Sequence, residues 1–300
     1  MSKIRIATTT GSSWVSQKAT DYKMLVKFRL TLTVVFSALM AFFISSNGGV
    51  SVSSVIILAL GGFFVTGAAN ALNQVLEKDY DRLMKRTADR PLAAGRMTVS
   101  EAVLAAGLMA MAGIMLLALF NVWAAFFGML SLVAYAFLYT PLKRYSTMAI
   151  PVGAVPGALP MLIGCVAAQG ELTMLAFALF AFQFAWQFPH FWSIGWLGYE
   201  DYRKAGYKML PERNGERDVH TGLYAAFYAL MLVPAGFALP ALGVTGWGSA
   251  VFAAVLSLVY AVLGWNLYRK QDRKAALSLM FGSLIYLPIV LVAFYLDKIL

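Results

Sequence analysis

The sequence predicts an all-α, polytopic membrane protein of nine transmembrane helices, with its N-terminus cytoplasmic and its C-terminus outside. Three observations predict this. Of 300 residues, 60% are hydrophobic and only 13% charged, whereas a soluble domain is nearer half apolar and a quarter charged. Nine apolar runs punctuate the chain, roughly 28–46, 50–72, 100–119, 121–140, 148–168, 172–195, 221–241, 246–268 and 275–296. Each holds about 20 residues, enough to cross a hydrocarbon layer of about 30 Å at 1.5 Å per residue. Finally, the basic residues fall on one side of the nine-run arrangement.

Taken in order, residues 1–23 are polar and rich in Ser and Thr. Lys3 and Arg5 precede no apolar stretch, so this is not a cleavable secretory signal, and it reads as a short disordered cytoplasmic tail. Residues 24–300 read as one membrane domain. Its runs are broken at Ser45-Ser46-Asn47-Gly48-Gly49, Asn121 and Gln169-Gly170-Glu171. The stretch from Thr221 to Tyr268 carries no charge and must be two spans joined by a tight turn between Pro240 and Trp247. The lone Cys165 sits in an apolar run and reads as core packing.

The formal charge of +10 would suggest nucleic acid in a soluble protein. Here the basic residues lie in short loops between apolar runs, which is the pattern of membrane topology and not of nucleic-acid binding. With nine spans, every Lys and Arg except Lys298 falls on the inner side. Acidic residues contribute little to orientation, yet of the 14 only Glu171 and Asp297 fall outside. Opposite charges gathered in two inner loops point to a single diphosphate-and-metal site.

The first constellation ends the second apolar run. If the helix continues, Asn73, Glu77 and Asp81 are spaced i, i+4, i+8, on one face with about 6 Å between successive members. Two carboxylates and an amide suit Mg²⁺, which takes one or two carboxylates and shares its other positions with substrate phosphates and water. Asp79 points to the opposite face, toward a nearby Lys or Arg. Lys85, Arg86 and Arg90 follow as point-charge and forked donors for phosphate oxygens. The plainer alternative is a mixed-charge helix end with a basic loop; ionisable residues near membrane depth favour the site.

The second constellation closes the sixth run with Trp186, Gln187 and His190. Its loop offers Asp201 as a further carboxylate for a metal, Tyr202, and Lys204 as a phosphate donor. Gln187 and His190 are equally compatible with plain packing and hydrogen bonding. The aromatic residues are compatible with an interfacial belt, with the wall of a cavity for a large flat substrate, or with stabilising a carbocation.

These residues resemble the UbiA superfamily of intramembrane prenyltransferases, and within it the haem branch. The likeness runs from Lys27 to the last helix. The superfamily's Asn-x₃-Asp-x₃-Asp appears as Asn73, Glu77 and Asp81, followed by Met84, Arg86, Thr87, Arg90 and Pro91. The haem branch's Trp-Gln-x-Pro-His appears as Trp186, Gln187, Pro189 and His190. Its Asp-Tyr…Met-Leu-Pro appears as Asp201, Tyr202, Met209, Leu210 and Pro211. Tyr139-Thr140-Pro141-Leu142-Lys143-Arg144 and Pro156-Gly157-Ala158 also fit that branch. Glu77 departs from the usual aspartate, keeping the charge on a longer arm. Lys27-Phe28-Arg29 stands where Lys-Pro-Arg is usual.

The resemblance implies a farnesyl group transferred from farnesyl diphosphate to a vinyl group of haem B, with water added, giving haem O and diphosphate. It implies Mg²⁺ on Asn73, Glu77, Asp81 and Asp201, with Lys85, Arg86, Arg90, Lys143, Arg144 and Lys204 near the diphosphate. Trp186, Gln187, His190 and Tyr202 would then meet the organic substrates. It further implies a bacterial inner membrane, a site on the cytoplasmic side, and haem A synthase or a terminal oxidase as recipient. Relatives acting on a quinone precursor or chlorophyllide are separated by the Trp186–His190 motif. A transporter is the reading from another class, but transporters place ion sites near the bilayer midplane, whereas this chain keeps its charges at one boundary.

Overall fold

The computed structural model describes residues 11–299; residues 1–10, with Lys3 and Arg5 of the expected tail, and Leu300 lie outside the described residues. The chain is almost entirely helical. Residues 11–23, expected within an unstructured tail, instead lie in α1 (Gly11–Leu25). Distant partners explain the difference. Lys18 reaches both carboxylate oxygens of Glu101 at 3.0 Å, and Arg96 Nε donates to the buried Asp21 at 2.9 Å. Both contacts join residues 75 or more positions apart, beyond the reach of any local pattern.

The chain continues through α2 (Phe28–Ser45), α3 (Val52–Asp81), α4 (Val99–Ala118) and α5 (Val122–Val133). A π-helical turn over Ala134–Tyr139 leads into the short α6 (Thr140–Leu142). Then come α7 (Ala149–Gln169), α8 (Met174–Leu197), the short α9 (Tyr199–Lys204), α10 (Thr221–Ala241), α11 (Trp247–Lys270) and α12 (Arg273–Leu296). Breaks fall where the sequence placed them. Asn121 caps α5, its side chain accepting from Ala124 N, and the 242–246 turn parts α10 from α11.

Among the described residues, eight segments are long and apolar enough to cross a membrane: α2, α3, α4, the run from α5 through α6, α7, α10, α11 and α12. The sixth predicted run is α8, whose 24 residues carry no charge but include Gln183, Gln187 and His190. Those groups lower its hydropathy and, with Trp186, Phe188 and Trp192, it is largely buried. The bundle is centred on α7, which packs against α2, α5 and α8. In α7, 78% of the span is buried, against at most half in the other seven. The outer helices expose apolar rows such as Leu104, Leu108, Met111 and Met115 on α4. Such surfaces are stable only against lipid, with backbone polar groups satisfied inside the helices.

The corner between α1 and α2 positions the site. Asn70 donates to Val26 O and Thr31 Oγ1, each at 3.2 Å, and Gln74 donates to Met24 O and Leu25 O at 2.8 and 2.9 Å. Both lie on the buried face of α3. They clamp the corner so that Lys27 turns in a left-handed conformation, φ 47°, uncommon for a side chain of this kind. At the opposite end of the bundle, the carbonyl of Asp297 accepts from Gly246 N, and its carboxylate accepts from Ser249 N at 2.7 Å. Lys298 donates to the carbonyls of Phe43 and Ser46, at the C-terminus of α2.

Candidate active site

The 30-residue α3 runs past the apolar stretch to Asp81, so Asn73, Glu77 and Asp81 do form one ladder. All three are buried. Each meets a cation from elsewhere in the chain. Arg90, from the loop after α3, donates to both oxygens of Asp81 at 2.9 and 2.8 Å and lies 4.0 Å from Glu77. Lys143, just after α6, pairs with Glu77. Lys27 donates to Asn73 Oδ1 at 2.8 Å and reaches the Tyr135 hydroxyl at 3.3 Å. Burial, and then the nearby charge of Arg90, hold the Lys27 ammonium well below the ordinary lysine range, with Glu77 pulling the other way.

Tyrosines roof this cluster. Lys143 Nζ lies 4.7 Å from the centre of the Tyr139 ring and 5.4 Å from that of Tyr207. Tyr207 comes from the loop after α9, which is stitched on by Lys208 N donating to Lys143 O at 2.7 Å. Met84, Ala205, Tyr207 and Met209 pack together, joining the two predicted loops through apolar contact. Burial pushes the Tyr207 phenol up, and the Glu77 and Asp81 carboxylates push it further. It therefore stays a neutral hydroxyl at physiological pH.

The π turn sets the boundary between polar cluster and bundle interior. Thr140 N bonds back to Tyr135 O across five residues, which widens the helix as π turns do at many functional sites. The Tyr135 and Tyr139 rings thereby meet at 5.3 Å, tilted by 39°, and Asn73 Nδ2 donates to Thr140 Oγ1 at 2.9 Å. Both tyrosines line a cavity of about 430 Å³ with Trp186, Gln187 and His190 of α8, within the range of small-molecule sites. The exposed Leu30, Leu32 and Leu284 are also in its lining, so the cavity reaches the lateral face between α2 and α12. Two glycines of α7 make its floor. A Cβ on Gly153 would run into the Tyr139 ring, and one on Gly157 into the Gln187 amide. Gln187 is then held by Nε2 donating to Ala154 O at 2.9 Å and to Gln183 O at 3.2 Å.

The remaining expected residues separate into three groups. Arg86 donates to the Tyr202 hydroxyl at 3.1 Å on the rim, so Tyr202 faces Arg86 and is absent from the cavity lining. Arg144 turns to the outer edge, donating to Tyr80 Oη at 2.9 Å and lying over its ring. Lys85 and Lys204 are exposed and make no ion pair among the described residues. Asp201 does not join Glu77 and Asp81: no group of three His, Cys, Asp or Glu with metal-holding geometry occurs among the described residues. The short α9 instead brings Tyr202 against Arg86, and the turn after it, at Gly206 with φ 73°, brings Tyr207 over Lys143. Asp79 pairs with Arg82, as expected. Sequence reading passed over Lys27, Tyr135 and Tyr207 as site members. Only Lys27 carried a signal, as the first residue of the departing Lys27-Phe28-Arg29.

Residues 34–285 match the model of the UbiA prenyltransferase family. The chain is 44% identical to a protoheme IX farnesyltransferase of Cytophaga hutchinsonii, over 93% of this chain and 97% of that protein. It is 42% identical to the protein of the same name from Flavobacterium johnsoniae, over 93% and 95%. Among solved structures, one described as digeranylgeranylglyceryl phosphate synthase in membranes superposes with a TM-score of 0.76 at 19% identity, covering 94% of this chain and 98% of that one. A UbiA homolog from Archaeoglobus fulgidus, bound to DMAPP and Mg²⁺, does so with a TM-score of 0.69 at 15% identity, covering 91% and 99%. These distant likenesses concern the fold. The family match over residues 34–285 and the relatives over 93% of the chain go further, and this protein belongs to the UbiA prenyltransferase family.

Proposed function

We propose that this chain transfers a farnesyl group from farnesyl diphosphate to a vinyl group of haem B, with water adding to the carbocation left on the vinyl group and losing a proton, giving haem O and diphosphate. The observation that carries the reading is continuity. A buried charged cluster for the diphosphate meets, through Tyr135 and Tyr139, an apolar cavity open to the side for the tail and the acceptor. The Trp186-Gln187-x-Pro189-His190 stretch lies in that cavity, and the close relatives carry the haem farnesyltransferase name.

Three basic side chains, Lys27, Arg90 and Lys143, gather around two carboxylates, Glu77 and Asp81, so the cluster favours an anion. The donor set also fits Mg²⁺: two carboxylates four residues apart on one helix face, with a single guanidinium within 4.0 Å of both. Glu77 and Asp81 would hold the ion, with Asn73 joining when Lys27 releases its Oδ1. The metal would stabilise negative charge on the departing diphosphate. Arg90, Lys143 and Lys27 do the same from fixed positions in a low-dielectric site, so the allylic C–O bond ionises more readily. Arg86, with Lys85 and Lys204, would guide the anion at the rim. Tyr139 and Trp186 present ring faces to the cavity and shelter the allylic cation until the vinyl carbon attacks. With α8 counted as a ninth span beside the eight apolar segments, we place this end on the cytoplasmic side of an inner membrane. Haem O would then pass to haem A synthase or a terminal oxidase.

The test is an assay on membranes containing the protein, supplied with haem B, farnesyl diphosphate and Mg²⁺, with chelator as control. A farnesylated haem formed only with metal is expected. A folded protein that leaves haem untouched but prenylates a quinone precursor would overturn the acceptor assignment.

A further inference from the structure

His190 is one of two histidines in the chain, and the other, His220, is bound to Asp218 away from the cavity. The His190 ring stacks on Trp186, with centroids 5.0 Å apart at 14°. Its Nδ1 lies 2.7 Å from Ser283 Oγ on α12. That hydroxyl has one proton, and it is used on Met280 O. Ser283 must therefore accept from His190, which fixes the proton on Nδ1 and leaves Nε2 with its lone pair. Nε2 makes no hydrogen bond among the described residues and is not among the buried polar atoms sealed without a partner. It faces the cavity that His190 lines.

An imidazole with Nδ1–H anchored, its ring clamped by stacking and Nε2 bare toward an apolar cavity is the arrangement of an axial metal ligand supported from behind. We propose that His190 Nε2 is the axial ligand to the iron of the porphyrin acceptor, and that Ser283 is a positioning residue that sets its tautomer and orientation. This rests on the haem reading of the same cavity. Of the other lining residues able to bind iron, Tyr135 is engaged by Lys27 at 3.3 Å, which leaves Tyr139 as the competing ligand. Ligation would fix the position and tilt of the macrocycle in the cavity that Tyr135 and Tyr139 also line.

The experiment needs no turnover. Purified protein in lipid nanodiscs is titrated with haem B in the absence of prenyl diphosphate, and the iron is read by absorption and by resonance Raman of the ferrous form. The wild type should show an iron–histidine stretching band. His190→Ala should lose that band and regain a histidine-like spectrum with added imidazole. Ser283→Ala should keep the ligand, shift the band to lower frequency and weaken haem binding about tenfold. Saturable haem binding by the wild type without the band, or a band unchanged in His190→Ala, overturns the ligand assignment. Loss of the signal in Tyr139→Phe instead gives the role to Tyr139. Absence of any saturable haem binding by the wild type removes the acceptor reading and this inference together. Ser283→Ala is also the safeguard should His190→Ala not fold.

Discussion

The two ends of the bundle both hold charge, buried at one and only partly covered at the other, and they use it differently. At one end, Asp297 and Lys298 bond to the main chain: a helix N-terminus at Ser249 and the last carbonyls of α2. Nothing is left over, and these charges serve as caps that tie the C-terminal segment to the ends of α2 and α11. At the other end, Glu77 and Asp81 face side-chain cations, and those cations outnumber them. Tyrosine faces and a cavity border that surplus. Charge matched to backbone reads as architecture, and charge matched to charge beside open space reads as a site.

The sharpest way to break this contrast is at Asp81. Asp81→Asn should lower turnover by at least about 100-fold while the protein stays inserted; near-normal turnover would count against Asp81 as a diphosphate-metal group. Glu77→Asp should be tolerated better than Glu77→Gln, and the reverse order would remove Glu77 from the metal.

Lys143→Met probes the same end by stability. It removes the nearer of the two cations on the buried Glu77, leaving Arg90 at 4.0 Å, and should cost about 3 kcal/mol in detergent unfolding. At the far end, Lys298→Met should cost only about 1–2 kcal/mol and leave the KM for prenyl diphosphate unchanged. A changed KM there would dissolve the distinction between the ends.

The smallest effect concerns Lys27. Its ammonium loses its proton below the ordinary lysine range, so the cluster sheds a positive charge as pH rises through that depressed value. KM for the diphosphate should therefore rise as pH is raised through that depressed range. Lys27→Arg should flatten the profile, because arginine keeps its charge; an equally steep profile in that variant would assign the titration elsewhere.

Much of this was legible in the residues alone. Helix periodicity is local, so the ladder Asn73, Glu77, Asp81 follows once α3 is continuous, and apolar runs with one-sided basic loops announce a membrane bundle without any contact being known. The Trp186–His190 stretch could be placed in a site for the same reason: its polar groups interrupt an otherwise uncharged run.

What tertiary structure alone decided is which distant groups meet. Arg90 and Lys143 were both candidates for the diphosphate, but only the fold assigns one to Asp81 and the other to Glu77. It turned α9 so that Tyr207 covers Lys143, and it set Tyr202, not Asp201, against the first loop. It also made a helix of residues 11–25, through partners on α3 and α4. It set Ser283 of the last helix behind His190, 93 residues away. Sequence patterns report the preferences of neighbouring residues. The pairing of buried charges depends on which helices pack and at what rotation, and that follows from the summed contacts of the whole bundle.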